Sequence, residues 1–176
     1  LTLEDKSKLK LRSNNDCFVC FDFNCMETIV LQYLSKDKKL GELIDKGGDC
    51  YANIWETLFN EAPTQNQRKF IKNSFLKVVY GMQAESLSQE SDIDLNVAKS
   101  FISNLKNIFP EAFDYIDSYQ KSLKINNKVE DFFGRTRIFE EKPWSVRNFV
   151  IQAPAAIICL EKLIELYNIV PDKLIF

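Results

Sequence analysis

Residues 66–81 read NQRKFIKNSFLKVVYG, and this stretch limits what the chain can fold into more than any other. At about 100° per residue, Arg68, Lys72, Leu76 and Tyr80 recur at every fourth position and line one slowly drifting stripe of a helix. Phe70, Ile71, Ser74, Phe75, Val78 and Val79 fall roughly opposite. One side therefore packs on a core, and the other presents two cations followed by a ring, with Gly81 closing the helix. Such a helix needs partner surfaces. The flanking sequence predicts them: helices over about 38–45, ending at Gly47-Gly48, from Asp49 to Phe59, and over a shorter segment up to Gln89. Two more follow, over 92–109 through Ile93, Val97, Phe101, Leu105 and Ile108, and over 110–123, opened by Pro110. Residues 40–123 are expected to form one continuous helical block.

The ends of the chain read differently. Residues 17–23, CFVCFDF, form a short β-prone run with Asp22 at its C-terminal edge. Asn24 is expected to cap a helix through Leu34 that packs through Met26, Ile29, Val30, Tyr33 and Leu34. Beyond the block, residues 128–139, KVEDFFGRTRIF, predict a hairpin around Gly134. A segment from Pro143 carries Arg147, Asn148 and Gln152. Pro154 is placed in the first turn of a separate helix from Ala155 to Asn168, and a strand begins at Lys173. The expected fold is α+β and helix-rich, a small antiparallel sheet with an inserted helical subdomain.

With 176 residues, 45% hydrophobic and 27% charged, the chain can bury a substantial core. A net charge of −2 argues against nucleic-acid binding by global charge, so any such contact must come from a local basic face. No apolar run reaches the roughly 18–20 residues of a membrane span, and the start LTLEDKSKLKLR lacks an apolar signal core. The expectation is a soluble, intracellular protein without a membrane partner. Five cysteines and no histidine favour free thiols over a disulfide framework or a zinc site at Cys17 and Cys20.

The chemistry concentrates in four places. DFNCME, residues 22–27, sets a carboxylate at a strand end beside a free backbone carbonyl. Arg68 and Lys72, one turn apart, suit a polyphosphate, the guanidinium as a planar fork and the ammonium as a point charge. GGDCYANIWETLF, residues 47–59, places Tyr51 at a helix start. FGRTR, residues 133–137, and RNFVIQAPAA, residues 147–156, bring Arg135, Arg137, Arg147, Asn148 and Gln152. In this order and near spacing, the set resembles family A DNA polymerases, the DNA polymerase I family.

The resemblance implies template-directed addition of dNTPs to a primer 3'-OH with two Mg²⁺ ions. By it, Asp22 is a catalytic, metal-binding aspartate and the Phe23 carbonyl a further ligand. Glu27 is the gate against a ribose 2'-OH. Arg68, Lys72, Leu76, Tyr80, Glu27 and Tyr51 hold the dNTP, with Lys72 also the general acid for pyrophosphate. Gly81, Arg135, Arg137, Arg147, Asn148 and Gln152 touch primer-template DNA, the arginines at phosphates and the amides in the minor groove. Residues 1–36 and 126–176 would be palm and 37–125 fingers, ending before the family's second catalytic aspartate. That aspartate and the thumb would come from a further segment or another chain, unless catalysis has been lost. Departures from the family are Leu76 in place of an aromatic ring, Lys77 in place of Gly, Asn24 and Cys25 in place of Ser and Gln, and Ile29 in place of Arg. They mark a divergent, phage- or virus-type member. An RNA polymerase of similar fold is the nearest alternative, disfavoured by Glu27. A non-catalytic DNA-binding subunit is the other.

Overall fold

The computed structural model describes residues 22–123, 127–140 and 143–169. The expected strands at 17–21 and from Lys173, and the cysteines Cys17 and Cys20, lie outside the described residues. Within them the order is α1 (Met26–Ser35), α2 (Lys38–Asp45), α3 (Cys50–Phe59), α4 (Gln65–Val79), α5 (Ala84–Ser91), α6 (Leu95–Ile108), α7 (Pro110–Ser122), β1 (Lys128–Glu130), β2 (Thr136–Ile138), a 3₁₀ turn at Pro143–Ser145 and α8 (Val146–Ile169).

Local chemistry sets most of these boundaries. Asp37, Asp49 and Asp94 cap α2, α3 and α6, each carboxylate accepting from a backbone N–H of the first turn. Thr64 opens α4 with a capping box, its side chain accepting from the Gln67 N–H while the Gln67 side chain accepts from the Thr64 N–H. Between α2 and α3 the chain turns through Gly47 and Gly48, at φ +73° and +72°. The Asn53 amide donates to the carbonyls of Leu43 and Gly47, at 2.9 Å each, and so locks that turn to the helix after it.

The α4 pattern is realised. Ile71, Ser74, Phe75, Val78 and Val79 are buried, and Phe75 meets Phe109 edge to face with ring centres 5.7 Å apart. Phe70 meets Phe101 of α6 in the same way at 5.1 Å. Helix α1 lies against α2, α7 and α8, α3 against α4, and α5 against α6. Asp37, fully buried, also accepts from the Ala112 N–H at 3.1 Å, so one carboxylate caps both α2 and the start of α7. Burial pushes its pKa up, and the two N–H groups of Leu40 and Ala112 pull it partly back.

Five expectations are corrected. Helix α1 is capped at Cys25, left-handed at φ 52° and without a side-chain cap, and not by Asn24. Its buried face is Thr28, Val30 and Leu31, while Ile29 and Tyr33 are exposed: α7 and α8 cover the stripe through Thr28 and Leu31, which the apolar letters alone did not single out. Helix α6 starts at Leu95, because Asp92 is left-handed at the end of α5 and Asp94 supplies the cap. Val97, placed on its core face, is exposed, and Ala98 is buried instead. Pro154 does not open a helix but sits inside one continuous α8, leaving the Val150 carbonyl without its helical donor.

The hairpin forms as expected, β1 pairing antiparallel with β2 in the register Lys128↔Ile138, Val129↔Arg137, Glu130↔Thr136. Gly134, at φ +80°, takes the left-handed position in its turn. Helices and a two-stranded antiparallel sheet together give the α+β, helix-rich class.

Candidate functional site

Three of the predicted site residues meet at one carboxylate. The Tyr80 hydroxyl donates to Glu27 Oε2 at 2.8 Å, and the Gln152 amide donates to Glu27 Oε1 at 3.1 Å. Glu27 stands in the first turn of α1, Tyr80 is the C-cap of α4 and Gln152 lies on α8. Three segments separated by more than 50 residues each are joined through side chains. Burial, and then the Glu27 carboxylate beside it, hold the Tyr80 hydroxyl above its ordinary pKa, so it remains a donor at neutral pH.

On α4 the cations differ. Arg68 Nε donates to Asp49 Oδ2 in an ion pair with the cap of α3. Burial raises the Asp49 carboxyl, but the Arg68 pair and the Ala52 N–H together outweigh it and leave the carboxyl below its usual value. Lys72 is exposed and has no side-chain partner among the described residues. Leu76 is half-buried against the core, and Lys77, the charged departure beside it, pairs with Glu90 of α5. Tyr51 is buried beside Thr28 and Cys25, its hydroxyl pushed up to about 12 by burial first, with Thr28 opposing and the Cys25 and Cys50 thiols reinforcing. Burial also pushes the Cys50 thiol up to about 12. Cys25, Cys50 and Cys159 are all free thiols.

Gly81 follows Tyr80 at φ +103°, and a Cβ there would lie 3.2 Å from Arg147 Cδ. The Arg147 side chain thus lies across the bare Gly81 backbone, where its guanidinium pairs with Asp117 of α7 at 2.7 Å. Tyr80, Gly81, Lys106, Asp117, Trp144 and Arg147 line a groove of about 330 Å³. Arg135 is tied to Asp131 at 2.7 Å, and the same buried carboxylate accepts from the Phe133 and Arg135 N–H groups at 2.9 and 3.0 Å. Arg137 lies over the rings of Phe139 and Phe149, at 5.1 and 6.0 Å. Asn148 is half-buried on α8. Asp22 and Phe23 stand exposed just before α1. Both would offer hard oxygen donors of the kind Mg²⁺ takes, but among the described residues no group of three His, Cys, Asp or Glu side chains could hold a metal ion.

Sequence reasoning missed the three aspartates, Asp49, Asp117 and Asp131, that hold Arg68, Arg147 and Arg135. Asp131 carried a signal, since a residue three before the turn glycine and four before Arg135 is placed for Asx-turn hydrogen bonds. Asp117 carried none, because its partner comes from another helix.

Residues 6–174 match DNA polymerase family A. The chain belongs to that family. Among curated family A members, DNA polymerase I of Helicobacter pylori strain 26695 is 31% identical over 128 residues, covering 73% of this chain and 14% of the relative. DNA polymerase I of Chloroflexus aurantiacus is 33% identical over 127 residues, covering 70% of this chain and 14% of that protein. The chain thus spans about a seventh of the length of these family A relatives. A solved structure, the POL domain of Pol1 from M. smegmatis in complex with DNA primer-template and dNTP, superposes with a TM-score of 0.65 at 21% identity. It covers 76% of this chain and 25% of that one, which establishes the shared fold. No helix among the described residues is long and apolar enough to cross a membrane.

Proposed function

We propose that this chain is the nucleotide- and template-binding portion of a DNA-directed DNA polymerase, which adds dNTPs to a primer 3'-OH. The observation that carries the reading is the Glu27 junction. It links the segment after Asp22, the helix bearing Arg68 and Lys72, and the helix bearing Asn148 and Gln152. In this reading residues 1–36 and 126–176 are palm and 37–125 fingers. Membership of family A and the shared fold with a domain solved in complex with primer-template and dNTP support it.

The roles follow from what each group can do. Lys72, exposed and without a side-chain partner among the described residues, is a ready counter-charge for a triphosphate and a proton source for the leaving pyrophosphate. Arg68 supplies the second cation one turn away. Glu27, held on both oxygens, is fixed in position and can exclude a 2'-OH. Tyr80, anchored to Glu27 through its hydroxyl, is the ring that stacks near the templating base. Arg147, Arg135 and Arg137 take phosphates, while Asn148 and Gln152 read minor-groove acceptors that all correct pairs share. Tyr51 backs Glu27's helix from within. Two Mg²⁺ ions would supply charge neutralisation at the reacting phosphoryl group. Asp22 and the Phe23 carbonyl would be a partial donor set for them, needing a second metal-binding aspartate to complete it.

The test is primer extension on a primed DNA template with Mg²⁺, with this chain alone and with a longer chain that carries the second aspartate. Extension by the longer chain only, lost in Asp22→Ala, is the expected result. No extension by either, with primer-template binding retained, would overturn the reading in favour of a non-catalytic DNA-binding subunit. In the active chain Glu27→Ala should admit ribonucleotides, and unchanged sugar selection would remove the gate role from Glu27. Lys72→Ala should weaken triphosphate binding by roughly 10-fold or more, the worth of a charged hydrogen bond, with primer-template affinity nearly intact.

A further inference from the structure

Three of the arginines that the proposed function directs at phosphates are already engaged. Arg147 pairs with Asp117, Arg135 with Asp131 and Arg68 with Asp49. The Arg68 pair differs from the other two in its surroundings. It is half-open to solvent, its side chains 41% and 35% exposed, and it stands one turn from Lys72, which has no side-chain partner among the described residues. Its carboxylate is also anchored. Asp49 Oδ1 accepts from the Ala52 N–H at 3.1 Å as the cap of α3, while Oδ2 accepts from Arg68 Nε. The aspartate therefore cannot follow the guanidinium without uncapping its own helix, and Arg68 must let go of Asp49 to reach anything else.

We propose that Asp49 is an internal competitor for the phosphate-binding arginine, an affinity-setting residue that Arg68 leaves only for a ligand richer in negative charge than one carboxylate. The inference rests on the nucleotide-clamp reading above and adds a residue which that reading does not contain. A fixed carboxylate offers the guanidinium one charge at one oxygen, since the other is engaged by the cap. A triphosphate offers several charges and oxygens placed for a bidentate grip, so it displaces Asp49 where a phosphate-free nucleoside does not. Apparent affinity for any ligand that needs Arg68 is lowered in proportion to the fraction of Arg68 that is free. Ligands that do not use Arg68 are unaffected. Asp49 thus sets the affinity for a triphosphate without touching that for a nucleoside, and keeps the cationic stripe neutralised until a polyphosphate arrives.

Asp49→Asn tests this, because asparagine caps a helix about as well as aspartate while losing the charge. Asp49→Ser, also a good cap, serves as a second variant, with thermal unfolding confirming that both fold. Binding of dATP with Mg²⁺ and of deoxyadenosine is measured by calorimetry for the wild type, each Asp49 variant, Arg68→Ala and the double variants. The expected result is dATP binding about two- to fivefold tighter in both Asp49 variants, the worth of a partly exposed ion pair. Deoxyadenosine binding should not change, and the gain should vanish when Arg68 is alanine. A gain that persists in the Arg68→Ala background would be a general field effect and would overturn the proposal. So would unchanged or weaker dATP binding, which would make Asp49 a positioning residue for Arg68. If Arg68→Ala and Lys72→Ala both leave dATP affinity at the wild-type value, or if the wild type does not bind dATP, the clamp reading itself fails. If those two variants weaken binding and the Asp49 variants do not strengthen it, only this inference fails.

Discussion

Gly81 shows how one missing atom shapes this site. Its φ of +103° is open to glycine and strained for any residue with a Cβ, and a Cβ there would crowd Arg147 Cδ at 3.2 Å. Gly81→Ala therefore carries two penalties, a backbone forced out of its preferred region and an arginine displaced from Asp117. The expected loss is about 1–2 kcal/mol, seen as a fall in Tm of roughly 2–8 °C for a chain of this size. A Tm within a degree of the wild type would show that the α4–α5 turn relaxes freely. Asp131 makes the complementary case in the hairpin. Its carboxylate holds two backbone N–H groups and the Arg135 guanidinium around Gly134. Asp131→Ala should cost about 1–3 kcal/mol and raise amide exchange at Phe133 and Arg135 specifically; a uniform rise across the chain would mean that the hairpin has no local stability of its own. Burial of this aspartate fixes the Arg135 guanidinium against the turn.

At the scale of elements, the capping aspartates carry much of the architecture. Asp37 closes two helices at once, so Asp37→Ala removes two caps and should cost about 2–4 kcal/mol at the usual worth of a cap. Its pH behaviour is opposite to that of the capping Asp49, whose carboxyl is lowered. Burial raises its pKa above the ordinary 3.8, so between 3.8 and the raised value the folded state holds a proton that the unfolded chain has released. The contribution of Asp37 to stability is therefore full below 3.8 and declines as pH rises through that window. Urea unfolding of the wild type and of Asp37→Asn from pH 3 upward should show the wild type losing stability relative to the variant as pH rises through the window, and a difference independent of pH would contradict this. The sequence revealed such elements unevenly, for physical reasons. Helices α2, α3, α4 and α7 were legible because each begins with a local cap or proline and carries its own apolar stripe. The face of α1 was not, since Ile29 and Val30 are equally apolar and only the placement of α7 and α8 decides that Val30 is covered. Continuity of α8 through Pro154 was hidden for a similar reason. A proline inside a helix is disfavoured locally, and the packing of Val150, Ile151 and Ala155 outweighs that preference. Order and spacing singled out Glu27, Tyr80 and Gln152, which the fold brings together, whereas the pairings of Asp49 and Asp117 depend on which helices cross.

Across the whole molecule the charge is close to balanced, −2 on 176 residues, and the pairing of Arg68, Arg135 and Arg147 quenches much of the local positive potential that a DNA-binding face would carry. Part of any affinity for a polyanion must then come from exchanging the internal partners of these three arginines for phosphates. Each such exchange releases a counterion from DNA only to the extent that the arginine leaves its aspartate, which predicts a shallow dependence on salt for the wild type. Asp117→Asn removes the partner of Arg147 and caps nothing, so it frees one cation beside Gly81 without unsettling a helix end. Primer-template binding followed by fluorescence anisotropy across a salt series should then show tighter binding and a log–log slope steeper by about 0.9, the contribution of one added phosphate contact. The tightening should be independent of DNA sequence, since a phosphate carries none. If the affinity rises without a change of slope, Arg147 acts through the shape of the groove and not through a phosphate. If neither changes, the Asp117–Arg147 pair is a structural tie between α7 and α8 and the DNA follows another path.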